Sequence, residues 1–435
     1  MNRGFRPNLL MMLSLVAVSV AAESVVPGWD WQPPAERPFP IVAWYGPGRH
    51  ILTDKVWSDV AQAGFNLVLP SYHGTDEEYR RTLDLGAKHG IGLLLGGLIE
   101  WERGKKEENA EKLAKNIQIV VDKWAADPAL AAYVLKDEPH ATHFPALGRS
   151  RELLARLDPG HFAYVNLFPN YAPVNDEENY FGTRNYREHV DQFMEIFQPE
   201  VLSYDHYCIE GYRFRKHDYA IRVRPQYYEN LEIIRAAALK HQVPFWAFTL
   251  VTPVFSYPTP TEGHLRFQLY SCLAYGARGL QYFTYCPVAP VDGIIDNDGN
   301  RQPQYELAKK INREIQHLGP LLLQLTSTAI RHTSPQPAGT TWLYEGHGGL
   351  KSCLGAPALL GFFDGPEDGN YVMVVNRDPM KAAELTLTFD KDVAAVHEVD
   401  RSQPGAILRP LEMDEGKVTL NLSDGDGRLL KIVRN

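Results

Sequence analysis

The sequence predicts an α/β protein: a (β/α)8 TIM barrel followed by a C-terminal antiparallel β-sandwich. Three observations carry that expectation. From residue 41, short apolar or β-branched runs alternate with helically spaced segments through eight units spanning about 280 residues, the length and order of such a barrel. The turn after the first run reads Trp44-Tyr45-Gly46-Pro47-Gly48, which lacks the glycine spacing of a dinucleotide-binding doubly wound sheet. After Pro320 the pattern changes to short strands separated by turns rich in Gly, Asp and Pro.

Residues 1–22 read as a signal peptide: Arg3 and Arg6, an apolar run from Leu9 to Val18, then Ser19-Val20-Ala21-Ala22 before the acidic Glu23. The apolar stretch is about 14 residues, short of the roughly 20 that span a bilayer, so cleavage near Ala22 and no membrane anchor are expected. The protein is then secreted or periplasmic. With 53 acidic and 44 basic residues the net charge is −9, which disfavours nucleic acid as a partner. A hydrophobic content of 44% excludes wholesale disorder.

The barrel is expected over 23–320. Its strands are Ile41–Tyr45, Phe65–Pro70, Ile91–Leu98, Leu130–Leu135, Phe162–Leu167, Val201–Asp205, Pro244–Leu250 and Gly279–Tyr285. Helices fall between them at Asp54–Ala63, Glu77–His89, Glu107–Ala125 and Tyr227–His241, with Gly64, Gly90, Pro128 and Pro159 as stop signals. A last helix, Gln304–Leu318, closes at Gly319-Pro320. The sandwich, 321–435, is expected to use Thr341–Tyr344, Leu359–Phe363, Tyr371–Asn376, Glu384–Phe389, Val418–Leu422 and Leu429–Val433, joined by turns such as Asp364-Gly365, Asp368-Gly369 and Asp424-Gly425. Cys208, Cys272, Cys286 and Cys353 are widely spaced and match no zinc pattern; export permits disulfides, and burial as apolar residues is the alternative.

A barrel of this kind carries its chemistry at the C-terminal ends of its strands and in the loops that follow. That rule selects Trp44 and Tyr45, Tyr72 and His73, Glu100 and Trp101, then Lys136, Asp137, Glu138 and His140. Further round it selects Asn166, then Tyr204, Asp205, His206 and Tyr207, then Trp246 and Thr249, and finally Tyr282 and Tyr285. The densest signal is Lys136-Asp137-Glu138-Pro139. Adjacent carboxylates repel and one pKa rises, as a general acid working near neutral pH requires. Read structurally, the same acids cap the next helix or pair with Lys136 or Arg149. The aromatic group Trp44, Tyr45, Trp101, Trp246, Tyr282 and Tyr285 suits stacking on sugar rings, and each alone equally suits the barrel core. A carbohydrate substrate is therefore expected.

Asp137-Glu138-Pro139 resembles the Asn-Glu-Pro acid/base site of the large clan of (β/α)8 glycoside hydrolases that includes family 42 β-galactosidases. Glu138 aligns with the acid/base residue and Asp137 replaces the usual Asn. The loop from Gly293 to Pro303 and the stretch Asn370–Asp378 resemble segments of the same family. The resemblance implies a hydrolase of O-glycosyl bonds with Glu138 as general acid/base, and the leader makes it a secreted one. It departs at the seventh strand, Pro244-Phe-Trp-Ala-Phe-Thr-Leu-Val-Thr-Pro253, which has no acid where that clan holds its nucleophile.

Two mechanisms follow. In one, Asp205 supplies the second carboxylate, and carboxyl separations of about 5–5.5 Å or about 6.5–9.5 Å would mean retention or inversion. In the other, Asp137-Glu138 resembles the substrate-assisted hexosaminidases of families 20 and 123. That resemblance implies that Asp137 holds a 2-acetamido group, Glu138 protonates the leaving oxygen, and Tyr285 or Tyr207 steadies the acetamido oxygen. His73, Asn166, His206, Tyr207 and the strand-end aromatics are the expected substrate contacts. A non-catalytic glycan-binding protein on a decayed barrel is the rival of a different class. No metal or other cofactor is expected: the histidines His73, His140 and His206 lack a His-x-His partner, and Asp296-Asn-Asp298-Gly299-Asn300 lacks the later positions of a calcium loop.

Overall fold

The computed structural model describes residues 38–435, apart from 72, 176–177, 216–217, 254–256, 289–291 and 344. The leader, Tyr72 and Tyr344 lie outside the described residues. Eight parallel strands close a barrel in sequential order: β1 (Ile41–Gly46), β2 (Leu67–Pro70), β3 (Gly92–Gly96), β4 (Leu130–Asp137), β5 (Phe162–Leu167), β6 (Leu202–Tyr204), β7 (Phe245–Leu250) and β8 (Gly279–Phe283). Helices α1 (Asp54–Gln62), α2 (Asp76–His89), α3 (Ala110–Trp124), α4 (Phe144–Leu157), α5 (Tyr186–Ile196), α6 (Tyr227–His241), α7 (Glu262–Ala274) and α8 (Pro303–Leu322) connect them.

Local chemistry sets the helix ends. The Thr75 hydroxyl accepts from the Glu78 amide while the Glu78 carboxylate accepts from the Thr75 amide, a capping box that starts α2. Gly90, at φ +67°, closes the same helix in the left-handed region. The helix α8 runs through Gly319-Pro320, beyond the expected stop. Burial of Leu318, Leu321 and Leu322 outweighs the hydrogen bond that Pro320 cannot donate in the last turn.

Two apolar layers follow from strand alternation. Val42, Trp44, Leu67, Leu69, Leu94, Phe162, Tyr164, Trp246 and Phe248 fill the lumen. Their alternates, such as Ile41, Val68, Tyr133, Val165, Ala247, Leu280 and Tyr282, pack outward against the helices. Between β6 and α6 an antiparallel hairpin, Ile209–Arg215 with Asp218–Val223, extends the sixth loop. Sequence reading passed over it. Its root is tied by Glu210, which pairs with both Arg222 and Arg224.

The C-terminal region forms a sheet of six antiparallel strands facing a sheet of three. The six, in sheet order, are Thr326–His332, Ala358–Gly365, Gly369–Asn376, Gly427–Arg434, Val393–Val399 and Leu408–Pro410. The three are Leu350–Gly355, Ala383–Phe389 and Lys417–Leu422. Among the described residues the expected strand at Thr341 does not form: Trp342 makes a single bridge to His332. The six-stranded sheet is apolar on both faces, with Leu360, Phe362, Val372 and Val374 turned to the small sheet and Leu359, Phe363, Met373 and Val375 turned to the barrel. Helix α7 lies under that second face, so it is buried almost all round. A side chain at Gly361 would run into the Ala274 carbonyl, so strand and helix meet backbone to backbone. The seam also holds a charge cluster: Arg266 pairs with Glu314 at 2.8 Å and Asp426 at 3.1 Å, and Arg401 pairs with Glu314 at 3.1 Å and Asp426 at 2.7 Å.

Candidate active site

Residues from β1, β4, β5 and β6 converge at the C-terminal mouth of the barrel. A register shift places this cluster. Ala132 and Val134 of β4 stand opposite Phe162 and Tyr164, which point into the lumen, and simple alternation would turn Lys136 inward next. The register slips between Val134 and Lys136, so Asp137 comes opposite the buried Asn166 instead. Such bulges re-aim side chains beside active sites. Glu138 then adopts φ +47°, a left-handed conformation that costs a non-glycine residue energy and carries it off the strand line. Tyr45, at φ +51° in a matching irregularity between β1 and β2, is turned the same way.

Asn166 grips both acids at the end of β4. Its side-chain amide donates to Asp137 Oδ1 at 3.1 Å, and its main-chain carbonyl accepts the Glu138 amide at 2.8 Å. Behind it, Ser203 Oγ donates to Asn166 Oδ1 at 2.8 Å, and the Gln281 amide donates to Ser203 Oγ at 2.8 Å. The Tyr164 hydroxyl, 2.6 Å from both Gln281 Oε1 and Ser203 Oγ, ends the chain in the lumen. Ser203 and Gln281 escaped sequence reading. Their signal was present, since each is a polar residue at an inward position of an otherwise apolar strand.

The electrostatics are those of crowded carboxyl groups. Burial, and then the Asp137 charge, push Glu138 from 4.5 to about 7, against the opposing pull of Lys136. Asp137 faces the open mouth, yet the surrounding protein raises its pKa too, and the Asn166 hydrogen bond holds that rise in check. Asp205 is buried and driven well above the carboxylate range by desolvation, then by Glu138 and Asp137; its own amide and the Tyr207 hydroxyl oppose the rise. Its Oδ1 has no partner among the described residues. The half-buried Tyr45 phenol is also raised, by burial and by both β4 acids. A cleft of ≈ 470 Å³ opens from Asp137 toward β1–β3, lined by Tyr45, His73, Trp101, Glu102 and Lys136 among others.

The remaining expected residues lie elsewhere. Trp44 is buried in the lumen, edge-on to Phe248 at 4.8 Å, and meets the cleft only at its floor. Trp246 sits deeper, beside Phe162, and does not reach the mouth. Tyr282 points outward and donates to Asn312 of α8 at 2.6 Å, because it stands in the outward phase of β8. Tyr285 packs on Phe65 outside the barrel. Stacking on a sugar is therefore corrected for Trp246, Tyr282 and Tyr285: their period-two phase or depth puts protein, not solvent, against them.

His206 also needs correction as a substrate contact. It is enclosed by Tyr171 at 4.9 Å and Tyr227 at 5.2 Å, and burial, then Arg224, lower its pKa to about 3. At the seventh strand the residue facing the mouth is Leu250, packed with Tyr207, Tyr257 and Phe283, while Thr249 turns outward beside Tyr282. All four cysteines are free and buried. Among the described residues no group of three or more metal-ligating side chains occurs, and no helix is long and apolar enough to cross a membrane. Asp296 accepts from the amides of Asp298 and Asn300, so its carboxylate closes its own turn.

This architecture is similar to that of solved glycoside hydrolases. A β-galactosidase from Bacillus circulans sp. alkalophilus superposes with a TM-score of 0.57 at 9% identity, over 91% of this chain and 99% of that one. A family 5 glycoside hydrolase from Bacteroides vulgatus gives 0.56 at 12% identity, over 91% and 89%. A family 39 glycoside hydrolase from the gut symbiont Bacteroides cellulosilyticus gives 0.51 at 13% identity, over 92% and 82%. At these identities the likeness is one of fold. No family model matches the chain, and no curated protein matches it.

Proposed function

We propose that this chain is a glycoside hydrolase in which Glu138 is the general acid and then the general base. The carrying observation is a carboxyl group held near neutrality, at about 7, in the mouth of a barrel shared with such enzymes. A protonated Glu138 donates to the glycosidic oxygen as the bond to the anomeric carbon breaks. The resulting carboxylate then accepts a proton from the attacking water. The cleft beside Asp137 takes the sugar, with Tyr45 and Trp101 as the aromatic surfaces within reach. The leader reading supports export, with the mature chain acting outside the cytoplasm.

The second step has two readings, and burial favours the substrate-assisted one. A nucleophilic carboxylate must be ionised, whereas Asp205 is buried, raised far above the carboxylate range and bonded to Tyr207. Strand β7 offers only Leu250 toward the mouth. Asp137, by contrast, is open to solvent beside Glu138 and can accept the N–H of a 2-acetamido group. The acetamido oxygen then attacks the anomeric carbon while the leaving oxygen takes the Glu138 proton.

The test is hydrolysis of paired hexosides and 2-acetamido hexosides, as aryl glycosides and as natural oligosaccharides, by the wild type and by Glu138→Gln. Loss of general acid catalysis is expected to cost about 10²–10⁴-fold on the natural substrates. Cleavage confined to 2-acetamido sugars supports the substrate-assisted route, and cleavage of plain hexosides returns the second role to Asp205. Equal rates for wild type and variant overturn the assignment of Glu138. Binding without cleavage by both proteins favours a glycan-binding module.

A further inference from the structure

The buried chain behind Asp137 has a direction, and that direction bears on the site. Gln281 donates to Ser203, Ser203 donates to Asn166, and Asn166 donates to Asp137, at 2.8, 2.8 and 3.1 Å. Each link is an amide or hydroxyl able to turn round, and the reversed chain would present the Asn166 carbonyl to Asp137. An amide oxygen facing a carboxylate is repulsive, so the reversed chain requires a proton on Asp137. The forward chain presents an N–H there, which favours the charged form. Ser203, Gln281 and Asn166 are buried, so water cannot stand in for a missing link.

We propose that Asn166, Ser203 and Gln281, anchored by Tyr164, are positioning residues for the Asp137–Glu138 pair. They present a fixed N–H to Asp137, which keeps its charge, and that charge keeps the proton on Glu138. The inference rests on the hydrolase reading for its consequence in catalysis, but not for the coupling itself. The other titratable groups around the two acids are Lys136 on β4, Tyr45 on β1, Tyr164 on β5, and Asp205 and Tyr207 after β6. His73 and Glu102 line the same cleft from the loops after β2 and β3. β7 and β8 turn the apolar Leu250 and Phe283 toward it. Apart from Tyr164, which bonds both Gln281 and Ser203, none of these groups touches the links between Gln281, Ser203 and Asn166, so breaking the chain leaves them in place.

The experiment follows Glu138 by its carboxyl ¹³C resonance, assigned by its absence from Glu138→Gln, through a pH titration of the substrate-free protein. Wild type is compared with Ser203→Ala, Gln281→Met and Ser203→Thr, and thermal unfolding checks that each is folded. Ser203→Ala and Gln281→Met are expected to lower the Glu138 midpoint by about half to one pH unit, and Ser203→Thr, which keeps the hydroxyl, to restore it. An unmoved midpoint in both folded chain-breaking variants overturns the proposal. The alkaline limb of kcat/KM is expected to move with the NMR midpoint. If the midpoint moves and no protein hydrolyses any glycoside, the coupling stands and the hydrolase reading fails.

Discussion

Asp137→Asn replaces one oxygen by nitrogen and converts this site to the Asn-Glu-Pro pattern that it resembles. Glu138 rises from 4.5 to about 7, with burial the larger cause and the Asp137 charge the second. If the Asp137 charge supplies roughly one pH unit of that rise, it is worth about 1.4 kcal/mol. The sign follows from the carboxyl charge: removing a neighbouring negative charge makes ionisation of Glu138 easier, so its acid form is lost at lower pH. At pH 7 the protonated fraction falls from about one half to about one tenth, a roughly fivefold loss from titration alone. At pH 5 that loss vanishes, because both proteins hold the proton. Steady-state kcat/KM from pH 4.5 to 9 separates the two causes. A deficit that persists at pH 5 measures the contact of Asp137 with the substrate, and on the substrate-assisted route it dominates for 2-acetamido sugars. An alkaline limb that stays in place would refute the electrostatic argument.

Three further outcomes are expected, besides the Glu138→Gln and Ser203 tests above. Asp205 takes up its proton more readily in the fold than in the unfolded chain, so it stabilises the fold below its unfolded pKa and loses that contribution as pH rises. The Tm of Asp205→Asn relative to wild type should therefore increase from pH 4 to pH 8, and a difference independent of pH would count against it. Tyr207→Phe removes a hydrogen bond from the Asp205 carboxyl, which should reinforce the neutral form and leave the kcat/KM alkaline limb unchanged, since Tyr207 is not a link between Asn166 and Asp137. Arg266→Met leaves Glu314 and Asp426 without one of their buried partners and should cost about 3–5 kcal/mol by urea unfolding. A cost below about 1 kcal/mol would mean that Arg401, with Arg428 on Asp426, satisfies both acids.

Much of this molecule is written in local pattern. Eight alternating runs were sufficient for a barrel because strand and helix periods are short-range properties, and α6 is found over the same residues that its spacing predicts. Acidic Asp137-Glu138 at the end of an apolar strand, stopped by Pro139, marks the mouth without any tertiary information. The hairpin after β6 was missed because strands of a two-stranded insertion alternate weakly and carry charge at Glu210 and Arg222. Tyr282 and Tyr285 were misplaced because being at a strand end does not say which way a side chain points, and Trp246 because it lies inward but near the start of β7, below the mouth.

What the sequence alone determined is the architecture and the chemical character of its mouth: a barrel, a sandwich, and a carboxylate pair where barrels do chemistry. What only the tertiary structure decided is which groups meet there. The slip between Val134 and Lys136 exchanges the inward phase from Lys136 to Asp137, a one-residue shift that alternation cannot foresee, because it depends on how β4 pairs with β5. The chain from Gln281 through Ser203 and Asn166 likewise rests on distant pairs, the bond from its Tyr164 anchor to Gln281 joining residues 117 positions apart. Those bonds exist only once the barrel has closed and excluded water from its lumen.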